Sequence, residues 1–355
     1  MRRPLSFCKA KGAIMGTVMK KHSNAYLLIL RRLEEYIAAH DLLKAGDCVL
    51  LGVSGGADST ALLFLMKEWA KKMPLSLRVV HVHHGLRPSA DEDQAFVEAM
   101  CEAWGIPCVS RRVEVSAYAK EKGLGTEEAA RILRHGVLAE EANAGNEKIA
   151  LAHHRDDQAE TVLFQLARGA SLKGLSGMAP KAGRIIRPLL DLSREEIELL
   201  LAENELTCRE DETNAQDAYT RNRIRHHILP LLQQEVNAQA AAHIAEAAED
   251  IAEADAYLQT EAMKLYESAK MPWTDGSGEE DALRIRALTE APPVLAKRVL
   301  LLAIAAASGA AKDIGRVHIE DVYRLLTGAK RGEIALPYGL KAVREYGRLY
   351  FRRNP

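Results

Sequence analysis

The sequence predicts an α/β fold with a doubly wound, mainly parallel sheet, followed by a smaller helical domain. Apolar segments of strand length alternate with amphipathic helical segments through residues 48–168, which is typical of a parallel sheet covered by helices. Beyond Pro230 the chain is rich in Ala and Glu, and this composition favours helix. Loops with Gly, His and Asp follow three predicted strands, at the edge where such sheets bind ligands.

The elements of the sheet region follow from the spacing of apolar residues and from breaks at Gly and Pro. A helix is predicted over residues 24–39, where apolar residues recur at helical spacing. The predicted strands are residues 48–53, 77–83, 108–115 and 148–152. The helices predicted between and after them are residues 57–72, 91–104, 126–144 and 156–168. Ser193 and Glu196 have the spacing of a capping box, which predicts the start of another helix.

The rest of the chain is predicted to form a second domain. Helix is expected to about residue 269, then a linker rich in Gly, Ser and acidic residues at 271–280, and further helices from residue 281. Residues 333–350 have the pattern of a short hairpin. We therefore expect an irregular extension at residues 1–21, a sheet domain at residues 22–232 and a mainly helical domain at residues 233–355.

Composition narrows the class of protein. The formal net charge is −1, so contacts with nucleic acid must come from local patches. Basic residues cluster at 221–227 and at 330–353, although such runs are often only solvated faces. The longest apolar run, residues 299–307, is too short to cross a membrane, and no secretory signal is evident. Five cysteines without a C-x-x-C pair indicate reduced thiols in a cytoplasmic protein.

The segment between the first predicted strand and the next helix has the features of an anion site. Two glycines let the backbone turn sharply, and the first N–H groups of a helix attract negative charge. The Lys-Ser/Thr pair of a Walker A loop is missing, which favours pyrophosphate as the anion. Asp58 is the expected ligand for Mg²⁺, which prefers oxygen donors. The predicted binding residues are Ser54, Gly55, Gly56, Ala57, Asp58 and Ser59.

A second cluster follows the strand at 148–152. His153 and His154 end the strand, and Asp156 and Asp157 favour the positive start of the next helix. Glu160 shares a helix face with Asp157 because the two residues are three positions apart. These carboxylates are either a helix cap with a solvated acidic face or a cation site. The cation is then Mg²⁺ or the ammonium group of an amine substrate.

The glycine loop resembles the PP-loop of the N-type ATP pyrophosphatases, which has the pattern S-G-G-x-D-S. Five further motifs follow in order: HVHHGLR, LAHHRDDQAET, ARGASLKGLSGM, IIRPLL and REDETNAQDAYTRNRIRHHILPLL. Together they resemble the tRNA(Ile)-lysidine synthetase family over about residues 48–232. The chain departs from the family at His135, where Tyr is usual, and at Cys208, where Trp is frequent. Both departures weaken arguments about base stacking there.

The resemblance implies a PP-loop, Rossmann-like ATP pyrophosphatase domain at residues 22–232 and a tRNA-contacting domain at residues 233–355. It implies that residues 54–59 bind ATP and that Mg²⁺ lies near Asp58 with Asp156 or Asp157. The implied catalytic residues, at the adenylation and lysine-binding centre, are Asp58, His153, Asp157 and Glu160. Contacts with nucleotide phosphates or the tRNA anticodon region are implied for Arg131, Arg134, Arg221, Asn222 and Arg225.

The implied reaction is an ATP-dependent ligation of L-lysine to C2 of the wobble cytidine of tRNA(Ile) with the anticodon CAU. An adenylated base is the intermediate, and lysidine is the product. Another PP-loop enzyme, such as a tRNA thiolase or an amide-forming synthetase, is the alternative, although neither paired cysteines nor a glutaminase domain is visible. A catalytically silent nucleotide-binding regulator is a third interpretation, disfavoured by the intact carboxylates. A homodimer is one assembly that the sequence allows.

Overall fold

A computed structural model of the chain describes residues 24–86, 89–145, 147–209, 220–274, 279–309, 313–328 and 330–353. The predicted extension at residues 1–21 lies outside these ranges. The first of two units lies within Met1–Gln158 and Ala179–Asn222, and the second within Ala159–Met178 and Arg223–Pro355. The domain boundary that we expect at residue 232 stays a prediction.

Strands and helices alternate through the first part of the chain. They are α1 (Asn24–Ala39), β1 (Cys48–Gly52), α2 (Ala57–Ala70), β2 (Ser76–His83), α3 (Ala90–Trp104), β3 (Cys108–Arg112), α4 (Val115–Lys122), α5 (Thr126–Gly145), β4 (Lys148–Ala150), α6 (Arg155–Ala167), α7 (Leu172–Leu175), β5 (Lys181–Ala182), β6 (Ile185–Ile186), α8 (Arg194–Glu203) and α9 (Thr220–Arg223). The capping box predicted at Ser193 and Glu196 is confirmed at the start of α8.

The sheet of the first unit has the strand order β3-β2-β1-β4-β6-β5. Strand β1 pairs in parallel with β2 on one side and with β4 on the other, and β5 pairs with β6 antiparallel. The chain therefore crosses from one side of β1 to the other before β4. Ligands of such sheets bind in the crevice at this reversal, beyond the carboxyl ends of the strands. The predicted doubly wound, mainly parallel sheet is confirmed.

Strand β3 is shorter than the sequence predicts. The predicted strand extends to residue 115, but the ladder with β2 ends at Arg112. A last backbone bond joins the N–H of Val113 to the carbonyl of His83 at 2.9 Å. Because β2 ends at His83, the following residues have no strand to pair with, and α4 begins at Val115.

A buried core fixes the ends of the central strands. Leu50 and Leu51 of β1 are fully buried, and so are Leu62, Leu63 and Met66 of α2. Burying one such side chain contributes roughly 1.5–3 kcal/mol. This packing anchors both elements that flank the glycine loop, so the loop is held at its two ends by well-packed structure.

The second unit contains a long helix and an antiparallel sheet. Its further elements are a π-helical turn (Ile224–Ile228), α10 (Leu229–Glu235), α11 (Ala240–Ala269), β7 (Lys270–Thr274), β8 (Glu279–Arg284), α12 (Ile285–Thr289), α13 (Pro293–Ser308), α14 (Arg316–Thr327), β9 (Gly332–Leu336), a 3₁₀ turn (Pro337–Gly339), β10 (Leu340–Glu345) and β11 (Arg348–Arg353). The strand order is β7-β8-β11-β10-β9. Leu300 and Ile304 of α13 and Leu326 of α14 are buried in its core.

The linker predicted at residues 271–280 is wrong for residues 271–274 and 279–280, which belong to strands, and residues 275–278 lie outside the described residues. Met271 pairs with Ala282, and Trp273 pairs with Glu280, in the antiparallel ladder of β7 and β8. Pro272 is tolerated because β7 is an edge strand of the sheet. The Gly, Ser and acidic residues of this stretch are typical of a linker, so the sequence alone did not reveal the two strands. The hairpin predicted at residues 333–350 is part of β9, β10 and β11.

Candidate functional site

Gly55 gives the loop between β1 and α2 its sharp bend. Its φ of +89° lies in the left-handed region that favours glycine. A Cβ atom at this position would lie 3.3 Å from Cγ2 of Val97 and 3.4 Å from Cδ1 of Phe96. The backbone conformation therefore favours glycine here, and the close approach of α3 leaves little room for a Cβ atom.

Hydrogen bonds of the Ser59 hydroxyl connect the two ends of the loop. The hydroxyl of Ser59 donates to the carbonyl of Gly56 at 3.0 Å and accepts the N–H of Ser54 at 3.2 Å. Ser59 is only 6% exposed, whereas Ser54 is exposed. Gly56 precedes the first turn of α2, and no side chain of the described residues caps this helix start. The first N–H groups of α2 are therefore suited to an anion.

Arg194 joins the carboxylates of two helix starts. Its Nη1 donates to Oδ1 of Asp58 at 2.7 Å, and its backbone N–H donates to Oδ2 of Asp156 at 2.9 Å. Asp58 lies in the first turn of α2, and Asp156 lies in the first turn of α6. Arg194 therefore connects the segment after β1 with the segment after β4. Such proximity is expected where the strand order reverses.

His154 lies at the centre of the acidic residues. Its Nε2 is 3.7 Å from Oδ1 of Asp58 and 3.4 Å from Oδ2 of Asp157, and its Nδ1 is 3.6 Å from Oδ2 of Asp156. Burial alone would lower the pKa of His154, but its interactions with Asp156, Asp157 and Asp58 outweigh burial and raise it. The carboxylates of Asp58, Asp156 and Asp157, which the resemblance implies near Mg²⁺, therefore lie around one imidazole.

The neighbouring His153 has the opposite electrostatic environment. Burial lowers the pKa of His153 most, the charge of Asp157 opposes this, and the charges of Arg187, Arg134 and Arg221 add to the lowering, so that the pKa is about 3. Its imidazole is therefore neutral near pH 7. At this position it can form hydrogen bonds to a ligand without adding positive charge.

The arginines around His153 form a cationic cluster, Arg131, Arg134, Arg187 and Arg221. Burial lowers the pKa of Arg134 and of Arg187, and the charge of Arg131 lowers both further. The Nε atoms of Arg134 and Arg187 are buried with no hydrogen-bond partner among the described residues. Because buried cations are costly unless they are paired, this cluster is suited to an anionic ligand. Arg221 also donates to Oδ1 of Asp157 at 3.3 Å.

Arg209 holds the glycine loop against the start of α3. Its backbone N–H donates to the carbonyl of Gly55 at 2.8 Å. Its side chain donates to Oδ1 of Asp93 at 2.9 Å and to Oε2 of Glu92 at 2.7 Å. Since one backbone bond fixes the Gly55 carbonyl, Arg209 sets the orientation of the peptide that joins the two glycines.

In the second unit, Arg225 forms a bidentate pair with Glu160. Its Nε is 2.5 Å from Oε1 and its Nη2 is 3.1 Å from Oε2 of the carboxylate. The side chain of Glu160 is only 1% exposed. Arg225 lies in the π-helical turn, a conformation that is frequent at functional sites. Asn222, another predicted contact residue, is half-buried in α9 of the first unit.

The carboxylates of the first unit provide the oxygen donors that Mg²⁺ prefers, but they do not form a closed cage. Within the part of the chain that the structure describes, no group of three or more His, Cys, Asp or Glu residues is arranged to hold a metal ion. Mg²⁺ often binds one or two carboxylates and completes its shell with water and phosphate oxygens. Asp58, whose side chain is 30% exposed beside the loop, fits such a site.

Comparison with known proteins identifies the family. Residues 27–232 match an ATP-binding PP-loop domain, and residues 283–350 match the TilS substrate binding domain. The tRNA(Ile)-lysidine synthase of Geobacter sulfurreducens is 37% identical over 92% of this chain and 69% of its own length. The chain belongs to the tRNA(Ile)-lysidine synthase family. A synthase of this family from Geobacillus kaustophilus is also 37% identical, over 91% of this chain and 70% of its own length.

A solved structure with the same fold is the U34-tRNA thiolase NcsA from Methanococcus maripaludis with its [4Fe-4S] cluster. It aligns with a TM-score of 0.56 over 64% of this chain and 80% of its own, at 20% identity. This identity is too low to transfer activity, so the likeness shows the fold alone. The predicted PP-loop fold and family are confirmed. None of the described helices is both long and apolar enough to cross a membrane.

The sequence does not single out three residues that the structure places at the site, Arg187, Arg194 and Arg209. Each lies in or beside a motif that was visible: Arg187 is in IIRPLL, Arg209 begins REDETN, and Arg194 follows the cap residue of α8. The contacts that reveal their positions span 136 positions for Arg194 and Asp58 and 116 for Arg209 and Asp93. The pattern of neighbouring residues in the sequence cannot predict contacts over such separations.

Proposed function

We propose that this chain catalyses the ATP-dependent ligation of L-lysine to C2 of the wobble cytidine of tRNA(Ile) with the anticodon CAU. The observation that carries the proposal is the contact of Arg194 with both Asp58 and Asp156. It brings the phosphate-binding loop and the acidic segment after β4 together within one unit. The names of the relatives support tRNA(Ile) as the substrate and lysidine as the product.

In the first step, the phosphates of ATP bind at residues 54–59, facing the open N–H groups at the start of α2. The C2 oxygen of cytidine attacks the α-phosphorus, the bond to the β-phosphate breaks, and pyrophosphate leaves. Asp58 would hold Mg²⁺, which supplies positive charge to the phosphates as negative charge develops on them. Arg131 and Arg134 add fixed positive charge in the same unit.

In the second step, the ε-amine of lysine attacks C2 of the adenylated base, and AMP leaves with the oxygen. The ammonium form of lysine must first lose a proton, and the Asp157 carboxylate is the acceptor that we assign. This carboxylate is held in place by the N–H of His154 at 3.1 Å and by Arg221. The neutral His153 orients the reacting groups through hydrogen bonds. Glu160 stays a predicted member of this centre.

The tRNA contributes a single-stranded anticodon loop, whose bases can be exposed for chemistry. We assign the contact with the anticodon loop to three residues, Arg221, Asn222 and Arg225. Arg225 contacts both carboxylate oxygens of Glu160, at 2.5 and 3.1 Å, whereas the bond of Arg221 to Asp157 is 3.3 Å long. Because Arg225 is held more closely by its carboxylate, we expect its contribution to RNA binding to be smaller than that of Arg221. Light scattering of the purified protein tests whether it is a homodimer, as the sequence allows.

The proposal is tested by incubating the protein with ATP, Mg²⁺, radiolabelled lysine and a tRNA(Ile) transcript with the anticodon CAU. The expected result is acid-precipitable label in the tRNA, with AMP and pyrophosphate released. A transcript with uridine at the wobble position should stay unlabelled. Label in neither tRNA would reject lysidine formation and leave a thiolase, an amide-forming synthetase or a silent nucleotide-binding protein.

Substitution at Asp58 locates the chemistry in the loop. Asp58→Asn should abolish ATP–pyrophosphate exchange and lysine incorporation while circular dichroism stays unchanged. The matched control is Asp250→Asn, because Asp250 is an exposed carboxylate of the second unit. Near-normal exchange in Asp58→Asn would remove this carboxylate from the mechanism.

A further inference from the structure

Arg194 is bonded to one of the two carboxylate oxygens of Asp58, the residue that we assign to a phosphate-bound cation. Its Nη1 donates to Oδ1 of Asp58 at 2.7 Å, so one lone pair of this oxygen is directed at a guanidinium. A guanidinium is always charged in proteins. A divalent cation on the same oxygen would be repelled at short distance. The two cations therefore compete for Asp58.

The start of α8 holds Arg194 in place independently of its side chain. The hydroxyl of Ser193 accepts the N–H of Glu196 at 3.1 Å, and the Glu196 carboxylate accepts the N–H of Ser193 at 2.8 Å. The backbone N–H of Arg194 donates to Asp156. None of these three bonds involves the side chain of Arg194. We therefore expect a substitution of that side chain to leave the start of α8 and the bond to Asp156 intact.

Arg194 also has a second carboxylate on its own helix. Its Nε donates to Oε1 of Glu198 at 2.8 Å, one turn along α8. The side chain of Arg194 is 40% exposed and that of Glu198 is 60% exposed. The guanidinium can therefore leave Asp58, stay paired with Glu198 and remain in contact with solvent.

We propose that Arg194 is a positioning residue that holds Asp58 in the nucleotide-free protein and releases it to the cation of the incoming metal–ATP complex. This inference rests on the proposed ATP site. In the absence of nucleotide, the positive charge of Arg194 keeps the Asp58 carboxylate oriented toward the crevice between β1 and β4. On binding, the cation takes over this carboxylate, and Arg194 moves toward Glu198.

The test is calorimetric titration with α,β-methylene-ATP, which cannot be cleaved at the reacting bond. Wild type and Arg194→Ala are titrated in Mg²⁺ and again in EDTA. With Mg²⁺, Arg194→Ala should bind the analogue about fivefold more tightly than wild type, because the competing cation is gone. In EDTA the variant should bind no more tightly than wild type. Arg194→Gln, which keeps bulk but no charge, should behave as Arg194→Ala does and replaces it if that variant does not fold.

Arg31→Ala is the matched control, because Arg31 forms the same type of exposed pair with Glu35 on α1 and has no described contact with the loop. Its affinity for the analogue should equal that of wild type in both buffers. Weaker or unchanged binding of Arg194→Ala in Mg²⁺ would overturn the proposal, since weaker binding is what a direct arginine–phosphate contact predicts. Absence of binding by wild type would overturn the ATP site itself, and the assignment of Arg194 with it.

Discussion

The buried hydroxyl of Ser59 accepts the backbone N–H of Ser54 at 3.2 Å, so the first turn of α2 holds the end of β1 in place. Ser59→Ala should therefore lower the free energy of unfolding by about 1 kcal/mol, since it removes this bond and the one to Gly56. It should also weaken the affinity for α,β-methylene-ATP, because the loop loses its internal support.

Urea denaturation and calorimetry measure the two effects of Ser59→Ala. Ser268→Ala is the control, since Ser268 is exposed and its hydroxyl donates a local helical bond to the carbonyl of Leu265 at 2.9 Å. An unchanged nucleotide affinity in Ser59→Ala would show that the loop keeps its shape without the serine.

Gly55→Ala tests whether the bend of the loop is required. Alanine at φ +89° is strained, and its Cβ would lie 3.3 Å from Val97, so we expect a loss of about 1–3 kcal/mol in stability. ATP–pyrophosphate exchange should fall below detection. Gly46→Ala is the matched control because Gly46 has φ +88° and a Cβ added there would have no described atom within 4 Å. If both variants retained exchange, the contact with α3 would not shape the site.

The sequence predicted the structure best where neighbouring residues determine both the fold and the candidate site. The apolar strand, the two glycines and the helix that follows are contiguous, so β1, the loop and α2 were all predicted. The reversal of strand order around β1 then brings Asp58 and Asp156 together. By contrast, Arg194 meets Asp58 because α8 packs at this edge, and the two residues are 136 positions apart in the sequence. The sequence pattern near either residue does not encode this contact. Strands β7 and β8 were missed for a different reason: their paired residues are close in sequence, but residues 271–280 have the composition of a linker.

The bidentate pair of Arg225 and Glu160 predicts a large coupling energy. Arg225→Ala removes two hydrogen bonds from a carboxylate that is 1% exposed, and this should cost about 3 kcal/mol or more of stability. The double variant Arg225→Ala/Glu160→Gln should recover part of this loss, because it also removes the buried charge. Urea denaturation of the single and double variants gives the coupling. Additive losses would mean that the pair does not stabilise the second unit.

Arg221 is the arginine of the 221–227 basic patch that we expect to contribute most to RNA affinity. Arg221→Ala should weaken binding of the tRNA(Ile) transcript and lower the slope of log affinity against log salt by about 0.7–0.9, as one lost phosphate contact predicts. Filter binding from low to high salt measures the slope. Arg31→Ala, which removes an equal charge from α1, should leave the slope unchanged. Equal slopes for Arg221→Ala and wild type would show that the patch is only a solvated face.

The pKa of His153 predicts how stability depends on pH. The folded protein has a pKa of about 3 at this residue, below the ordinary value of 6.5. Between these values the unfolded chain binds a proton that the folded chain does not, so the free energy of unfolding falls as pH falls. From pH 7.5 to pH 5.5 this group alone should remove about 1.4 kcal/mol.

His153→Gln isolates this contribution, because glutamine does not titrate. From pH 7.5 to pH 5.5, wild type should therefore lose about 1.4 kcal/mol more of its free energy of unfolding than His153→Gln does, as measured by urea denaturation. His243→Gln, on α11 of the second unit, is the control and should track wild type. A difference that stays constant with pH would mean that His153 takes up a proton in the folded protein as readily as in the unfolded chain. The neutral imidazole that we assign to the reaction centre would then be wrong.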